Sequence, residues 1–567
     1  MANNFFELFL SLTLLTLAAI PLGKFFKLVY SGQKTFLSCL IKPLESFLYK
    51  ICGIDPAEEM SWKVYTKDFL LLNLWGFIVL FLIQVFQDKL PLNPAQLSAV
   101  PWHLAINTAV SFVTNTNWQS YSGEATMSYL TQMVGLTVQN FVSAAAGMAA
   151  CVAFLRGFSR QSSETIGNFW ADLTRSILYI LLPLSIIFAV VLMSQGVVQT
   201  LHPYVNVQTL EGQKQVLAVG PAASQIAIKQ LGSNGGGFFN VNSAHPFENP
   251  TPLTNFLELM AILLIPFAFP ILLGELLNKR KEGWAVFTAM LILLVAGLSI
   301  ALFFELKGSP ILQSVGVHQG MNMEGKETRF GVVPSVYWEV ATSATSNGSV
   351  NAMHDSLLPV TGLVALFNIT IGEVIFGGVG VGLIGMMFYA VLALFIIGLM
   401  IGRTPELYGK KLGSSEMIMT VLAIVLPSVT LKILAACAIS LPIGLTGLNN
   451  FGPHGFTEIF YAYASGVGNN GSAFAGLNAN TPFYNLTISL AMLVGRFATI
   501  IPALVIAGSL AHKKISPQNR ATLPTASLIF ICILCATVIV IGALTFFPPF
   551  TIGPVLEHLQ MMAGKVF

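Results

Sequence analysis

Thr114-Asn115-Thr116-Asn117-Trp118-Gln119 decides how this chain is read. It is a short polar island in a sequence that is 54% hydrophobic and only 9% charged. Three similar islands follow: Gly232-Ser233-Asn234-Gly235-Gly236-Gly237, Ser346-Asn347-Gly348-Ser349 and Gly468-Asn469-Asn470-Gly471-Ser472. With Asn115, Asn234, Asn347 and Asn470 taken as central, they stand 119, 113 and 123 positions apart. One local pattern at near-even spacing predicts one supersecondary unit used four times. An Asn-Gly pair alone is an ordinary turn former. Here each island follows a short, weakly polar stretch (102–113, 222–231, 335–345, 456–467) headed by Pro101, Pro221, Pro334 or Pro453. Proline suits the first turn of a helix, so each island reads as the end of a half-helix.

Composition sets the surroundings. A soluble protein carries roughly 25% charged residues, and this chain has a mean hydropathy of +0.74, so it is an integral membrane protein. A net charge of +3 is too small and too dispersed to imply a nucleic-acid partner. The six cysteines form no framework, and Cys532-x-x-Cys535 lies in an apolar run where helix filler is the expected role. Residues 5–22 lack the basic leader of a secretory signal, since Lys24 and Lys27 follow them. They read as a retained helix with its N-terminus outside.

A spanning helix needs about 20 mainly apolar residues. Ten segments qualify: 5–22, 67–87, 127–155, 173–195, 254–278, 284–305, 381–402, 418–440, 484–510 and 524–547. Lysine and arginine crowd the loops after the odd-numbered spans, among them Arg156, Arg160, Lys279, Arg280, Lys281, Arg403, Lys410, Lys411, Lys513, Lys514 and Arg520. The positive-inside rule puts those loops in the cytoplasm, leaving both termini and all four islands outside. The outer segments are then 88–126, 196–253, 306–380 and 441–483. Eight spans fall into four units of helix, pore loop and helix: 65–155, 173–278, 284–402 and 418–510. Residues 1–64 and 521–567 contribute extra helices. The expected fold is an all-α polytopic membrane protein with four pseudo-repeated units ringed around an axis, because re-entrant backbone survives at membrane depth only where protein or a water-filled path covers it.

The chemistry of such a ring follows from its backbone. A half-helix turns the negative end of its dipole toward the axis, and carbonyls beyond it can replace the hydration shell of an alkali ion. Thr116, Ser233 and Ser346 add hydroxyl oxygens, and no island core contains an acid. Oxygen ligands without carboxylate suit a monovalent ion better than calcium or magnesium. Ionisable residues at membrane depth are functional candidates that usually pair; Glu373 with Arg496 is the expected pair, with Lys432 a further charge inside span eight and Arg403 closing span seven. Gly320-Met321-Asn322-Met323-Glu324-Gly325-Lys326-Glu327 nearly spells a phosphate loop. Glu327 stands where Ser or Thr must hold magnesium, and no strand precedes it. The chain by itself is not expected to be an enzyme.

The sequence resembles the potassium-binding A subunit family of the bacterial Kdp potassium-transporting P-type ATPase, within the superfamily of potassium transporters. The resemblance rests on 107–124 (NTAVSFVTNTNWQSYSGE), 234–240 (NGGGFFN), 245–250 (HPFENP), 322–327 (NMEGKE), 352–356 (AMHDS), 400–406 (MIGRTPE) and 470–476 (NGSAFAG). It implies a potassium selectivity filter at Asn115 and Thr116; Ser233, Asn234 and Gly235; Ser346, Asn347 and Gly348; and Asn469, Asn470 and Gly471. It implies Gln119 beside the filter exit and Arg403 near a cytoplasmic gate. It further implies potassium capture from outside a bacterial plasma membrane and passage through an intramembrane tunnel. The implied partners are a KdpB-type P-type ATPase subunit that uses the ATP, a KdpC-type subunit and a small KdpF-type peptide. Ser233 and Asn347 depart from the family pattern, in which Thr and Cys are common. Two other readings stay open on the residues alone: a stand-alone channel or cation symporter, and a membrane enzyme or scaffold built on His245, His354 and Asp355.

Overall fold

The computed structural model describes residues 2–314, 316–317, 320–402, 404–516 and 523–565; Arg403 and Arg520 lie outside the described residues. Ten helices among those described are long and apolar enough to cross a membrane. They run Phe5–Tyr30, Trp62–Val85, Thr131–Ser159, Phe169–Ser194, Pro252–Leu276, Arg280–Ser314, Val381–Met400, Ser414–Ser440, Pro482–His512 and Leu528–Met562. The predicted spans recur with ends moved by a few residues, except that the last continues, kinked at Phe546 and Gly553, through what the hydropathy pattern leaves as an outer tail.

Burial divides the spans into inner and outer. The most apolar windows of spans three and five are 83% and 78% buried, against 17%, 22%, 22% and 28% for spans one, two, eight and ten. The inner spans tolerate small and polar residues because other helices cover them. The outer ones are greasy all round, as a lipid-facing or partner-facing helix must be.

Between paired spans lie four short helices: Trp102–Val113, Ala222–Leu231, Val332–Ala344 and Gly452–Gly468. At 1.5 Å per residue they are too short to cross a bilayer core of about 30 Å, yet nearly every residue in them is buried. These are the four pore helices. Pro101 and Pro221 precede the first two, while Pro334 and Pro453 sit in the first turn of the others.

The third unit departs from the sequence pattern. Residues 306–380 read as one long outer segment, but Pro359–Thr370 forms a second apolar helix that packs against pore helix three and span six. After it, 371–380 is an irregular buried loop leading into Val381–Ile401. Gly372, Glu373, Phe376 and Gly380 in that loop all have positive φ. A Cβ on Gly380 would stand 2.8 Å from Cys151 Cβ, so the loop lies hard against span three. The unit's return span is therefore broken in two. The first half, at 12 residues, falls short of the roughly 20 that a span needs, which is why the hydropathy pattern shows only the second.

Spans three and nine cross where Gly157 faces Ala507, and a Cβ on Gly157 would fall 2.6 Å from Ala507 Cα. Gly157→Val should overpack this crossing and cost about 1–3 kcal/mol. Thermal unfolding in detergent would measure it, and an unchanged midpoint would contradict this packing.

Candidate functional site

Each pore helix ends in a carbonyl that holds the loop beyond it. Ser111 O accepts from the backbone N–H of Thr116 (2.9 Å) and Asn117 (3.1 Å). Lys229 O accepts from Asn234 (2.8 Å) and Gly235 (3.1 Å), Thr342 O from Asn347 (3.2 Å), and Ser465 O from Asn470 (2.9 Å). The loop donors are thus turned back toward their own helix.

These bonds also set the register. The first residue of each triplet has positive φ (Asn115 65°, Ser233 47°, Ser346 57°, Asn469 58°), and so does the third (Asn117 53°, Gly235 82°, Gly348 81°, Gly471 97°). The true counterpart of Asn234, Asn347 and Asn470 is therefore Thr116, and Asn115 corresponds to Ser233, Ser346 and Asn469. Matching asparagine to asparagine misplaces the first loop by one residue. Hydrogen bonding counted from the helix end corrects it and brings in Asn117, which the candidate set lacks.

The four triplets form a ring. A Cβ on Gly235 would lie 1.7 Å from Asn347 O, one on Gly348 2.1 Å from Asn470 O, and one on Gly471 2.2 Å from Thr116 O. Each glycine thus backs onto the middle carbonyl of the next loop, and only a residue without a side chain fits there. In the first loop Asn117 carries the Cβ that the others avoid. It lies against Gly236, and its amide donates to Asn140 Oδ1 at 2.7 Å.

Side chains stitch the ring together. Asn115 Nδ2 donates to Ser233 O (2.9 Å), Ser346 Oγ to Asn469 O (3.1 Å), and Asn469 Nδ2 to Thr116 Oγ1 (3.0 Å). Asn347 donates to Lys229 O (3.1 Å) and Asn470 to Thr342 O (2.9 Å), so each reaches the preceding pore helix. Their carboxamide oxygens accept from Ser349 N and Ser472 N, both at 3.0 Å. Asn347 is thereby spent on bracing. Ser233 Oγ is buried without a partner. Gln119 pairs with the backbone of Gly237 in both directions, at 2.9 Å each, and joins loops one and two where the chain leaves the ring.

A cavity lies next to the ring. Asn115, Ser346, Gly468 and Asn469 line one part of it, and the buried loop with Glu373, Val374 and Gly378 another. Its walls also include Arg496 and Thr499, Ala423, Pro427 and Ser428 of span eight, and Gly542, Thr545 and Phe546 of span ten. Gln119 is not among its walls. Glu373 and Arg496 share the cavity but do not pair: neither carboxylate oxygen of Glu373 has a hydrogen-bond partner, and Arg496 donates to Ser143 O at 2.8 Å. A backbone carbonyl within span three takes the guanidinium instead. Lys432 is exposed on span eight, with Nζ 3.3 Å from Thr545 O and 5.6 Å from the Phe546 ring. His245 stacks on Phe239, while His354 and Asp355 belong to a different pore unit, so no shared centre unites them.

Sequence patterning missed the braces. Lys229 reads as an outer-loop charge but is fully buried, ion-paired with Glu248 and bonded to Asn242 Oδ1 (2.7 Å). Asn242 in turn donates to Gly235 O (2.9 Å). Asn140 and Ser143 of span three reach the first two loops. Their signal was available: polar residues in the middle of a membrane span need a reason.

A ring of four re-entrant loops within paired spanning helices defines a pore-loop membrane protein. Over residues 9–559 the sequence matches the family described as "Potassium-transporting ATPase A subunit" (KdpA), and the chain belongs to that family. It is 52% identical over 567 residues to the "Potassium-transporting ATPase potassium-binding subunit" of Rhodospirillum centenum, covering 100% of this chain and 99% of that one. The proteins of the same description from Pseudomonas syringae (53%, 98% of each chain) and Pseudomonas aeruginosa (51%, 98% of this chain and 100% of that one) are similar to it. Among solved structures, the potassium transporter TrkH from Vibrio parahaemolyticus shares the fold at a TM-score of 0.53 and 14% identity, over 88% of this chain and 98% of that one.

Lys229→Met would strand the Glu248 carboxylate and should cost about 3–5 kcal/mol, whereas Lys229→Met combined with Glu248→Met should recover most of it. Thermal unfolding of both variants checks this; equal losses would mean that the pair braces nothing.

Proposed function

We propose that this chain is the potassium-capturing and potassium-passing subunit of an ATP-driven import complex. The observation that carries the reading is the ring itself: four triplets, three with a glycine where no side chain fits, whose central N–H groups turn back to the pore helices and whose cores hold no acid. Carbonyls left on the axial side fit a dehydrated monovalent cation. The relatives' description as potassium-binding subunits supports potassium as that ion. The filter would consist of the triplets starting at Asn115, Ser233, Ser346 and Asn469, with Asn117 added to the first.

The ion enters from outside, as the positive-inside pattern favours. Beside the ring, the cavity is walled by the loop with Glu373 and by residues of the outer spans eight and ten. Walls supplied by two outer, little-buried spans support transfer to a neighbouring subunit over a stand-alone channel. The neighbour is a P-type ATPase subunit that hydrolyses the ATP, accompanied by a C-type subunit and a small peptide. Glu373 and Arg496, not paired with each other and lining the cavity, set the potential along that route.

Two variants separate capture from passage. Gly235→Asp places a carboxylate in the ring and should abolish discrimination of potassium from sodium. Ser428→Trp fills the side passage and should stop transport while leaving potassium binding intact. Equilibrium binding and proteoliposome uptake read the two; unchanged selectivity in the first, or unchanged uptake in the second, would overturn the corresponding assignment.

A further inference from the structure

A second cluster lies away from the ring, where three chain segments meet. His454 stands in the first turn of pore helix four, Asp355 in the turn His354–Ser356, and Glu557 in the terminal helix Leu556–Met562. His454 Nε2 is 3.2 Å from Asp355 Oδ1 and 3.9 Å from Glu458 Oε1, one helical turn on. One ligand atom from each of Asp355, His454 and Glu458 lies within 4.8 Å of the others.

We infer that this cluster is a binding site for a divalent transition-metal ion of the zinc class, held by His454 Nε2, Asp355 and Glu458. Zinc accepts a histidine and carboxylates at about 2.0–2.2 Å, with a water completing the tetrahedron. Ligand atoms then stand roughly 3.3–3.5 Å apart, against 3.2 and 3.9 Å from His454 Nε2 to the two carboxylates, so binding needs only a small inward shift of Glu458. His454 Nδ1 lies 2.9 Å from Glu557 Oε1. That contact leaves Nε2 facing the carboxylates, the carboxylate–histidine–metal arrangement that orients a ligand imidazole.

An independent observation points to a missing cation. The Glu458 side chain is wholly buried, and its Oε2 has no hydrogen-bond partner, although Asn450 donates to Oε1 at 2.6 Å. Three carboxylates surround one imidazole. The nearby Lys326 is committed to Glu305 at 2.9 Å. Gly476 permits the approach: a Cβ there would lie 2.0 Å from Glu458 Oε1 and 2.8 Å from Asp355 Oδ2. The bound ion would lock pore helix four to the return of unit three and to the terminal helix.

Calorimetric titration of ZnCl2 into the full-length, EDTA-stripped chain in detergent, with thermal unfolding alongside, tests this. The wild type should bind one zinc ion and melt higher with it. Glu557→Gln should weaken binding about tenfold, and His454→Gln and Glu458→Gln should weaken it further. If His454→Gln does not fold, the near-isosteric Glu458→Gln decides. Absence of zinc binding by the wild type, or equal zinc stabilisation of wild type and Glu458→Gln, would overturn the proposal.

Discussion

Backbone N–H groups cannot be left unpaired at membrane depth, and the rest of this structure depends on how the four pore loops meet that constraint. Each loop returns its central donor to a carbonyl near the end of its own pore helix. Ser111, Lys229, Thr342 and Ser465 play this part in turn. Once the donors face outward, the carbonyls are left for the axis. The alternating positive φ values are the conformational consequence, and the glycines allow neighbouring loops to close up. A residue outside the left-handed region at the first or third triplet position would break the register of N–H groups and carbonyls together.

The bracing around the ring follows from the same need. Neutral carboxamides do most of it, because Asn offers a donor and an acceptor on one short side chain. Asn347 and Asn470 use both, one toward the loop and one toward the preceding helix. At loop two the brace is instead a buried ion pair, Lys229 with Glu248, relayed through Asn242 to Gly235. Such a pair contributes little net stability by itself, yet losing one partner is costly. It therefore fixes one geometry without needing to add to overall stability.

Much of this was legible in the sequence. Ten apolar runs, four prolines and four polar islands foretell the spans, the pore helices and the repeat, because each depends on local composition. The glycine-bearing triplets also announce themselves. What stayed hidden depends on partners distant in the chain. Pro359–Thr370 is too short to register as a span. The register of Thr116 is visible only through bonds to Ser111. Glu373 and Arg496 look like a pair by charge, but Ser143 O lies where the guanidinium reaches. Lys229 reads as an outer polar residue because nothing local reveals that neighbouring elements bury it.

The central claim is that the ring axis binds a dehydrated monovalent cation through backbone carbonyls. Anomalous scattering from the full-length chain crystallised with thallium, a heavy stand-in for potassium, tests it most directly. The account predicts thallium peaks on the axis among the carbonyls of Thr116, Asn234, Asn347 and Asn470, diminished when potassium is added and unaffected by sodium. An empty axis, with thallium found only beside carboxylates such as Glu373 or Glu458, would contradict it.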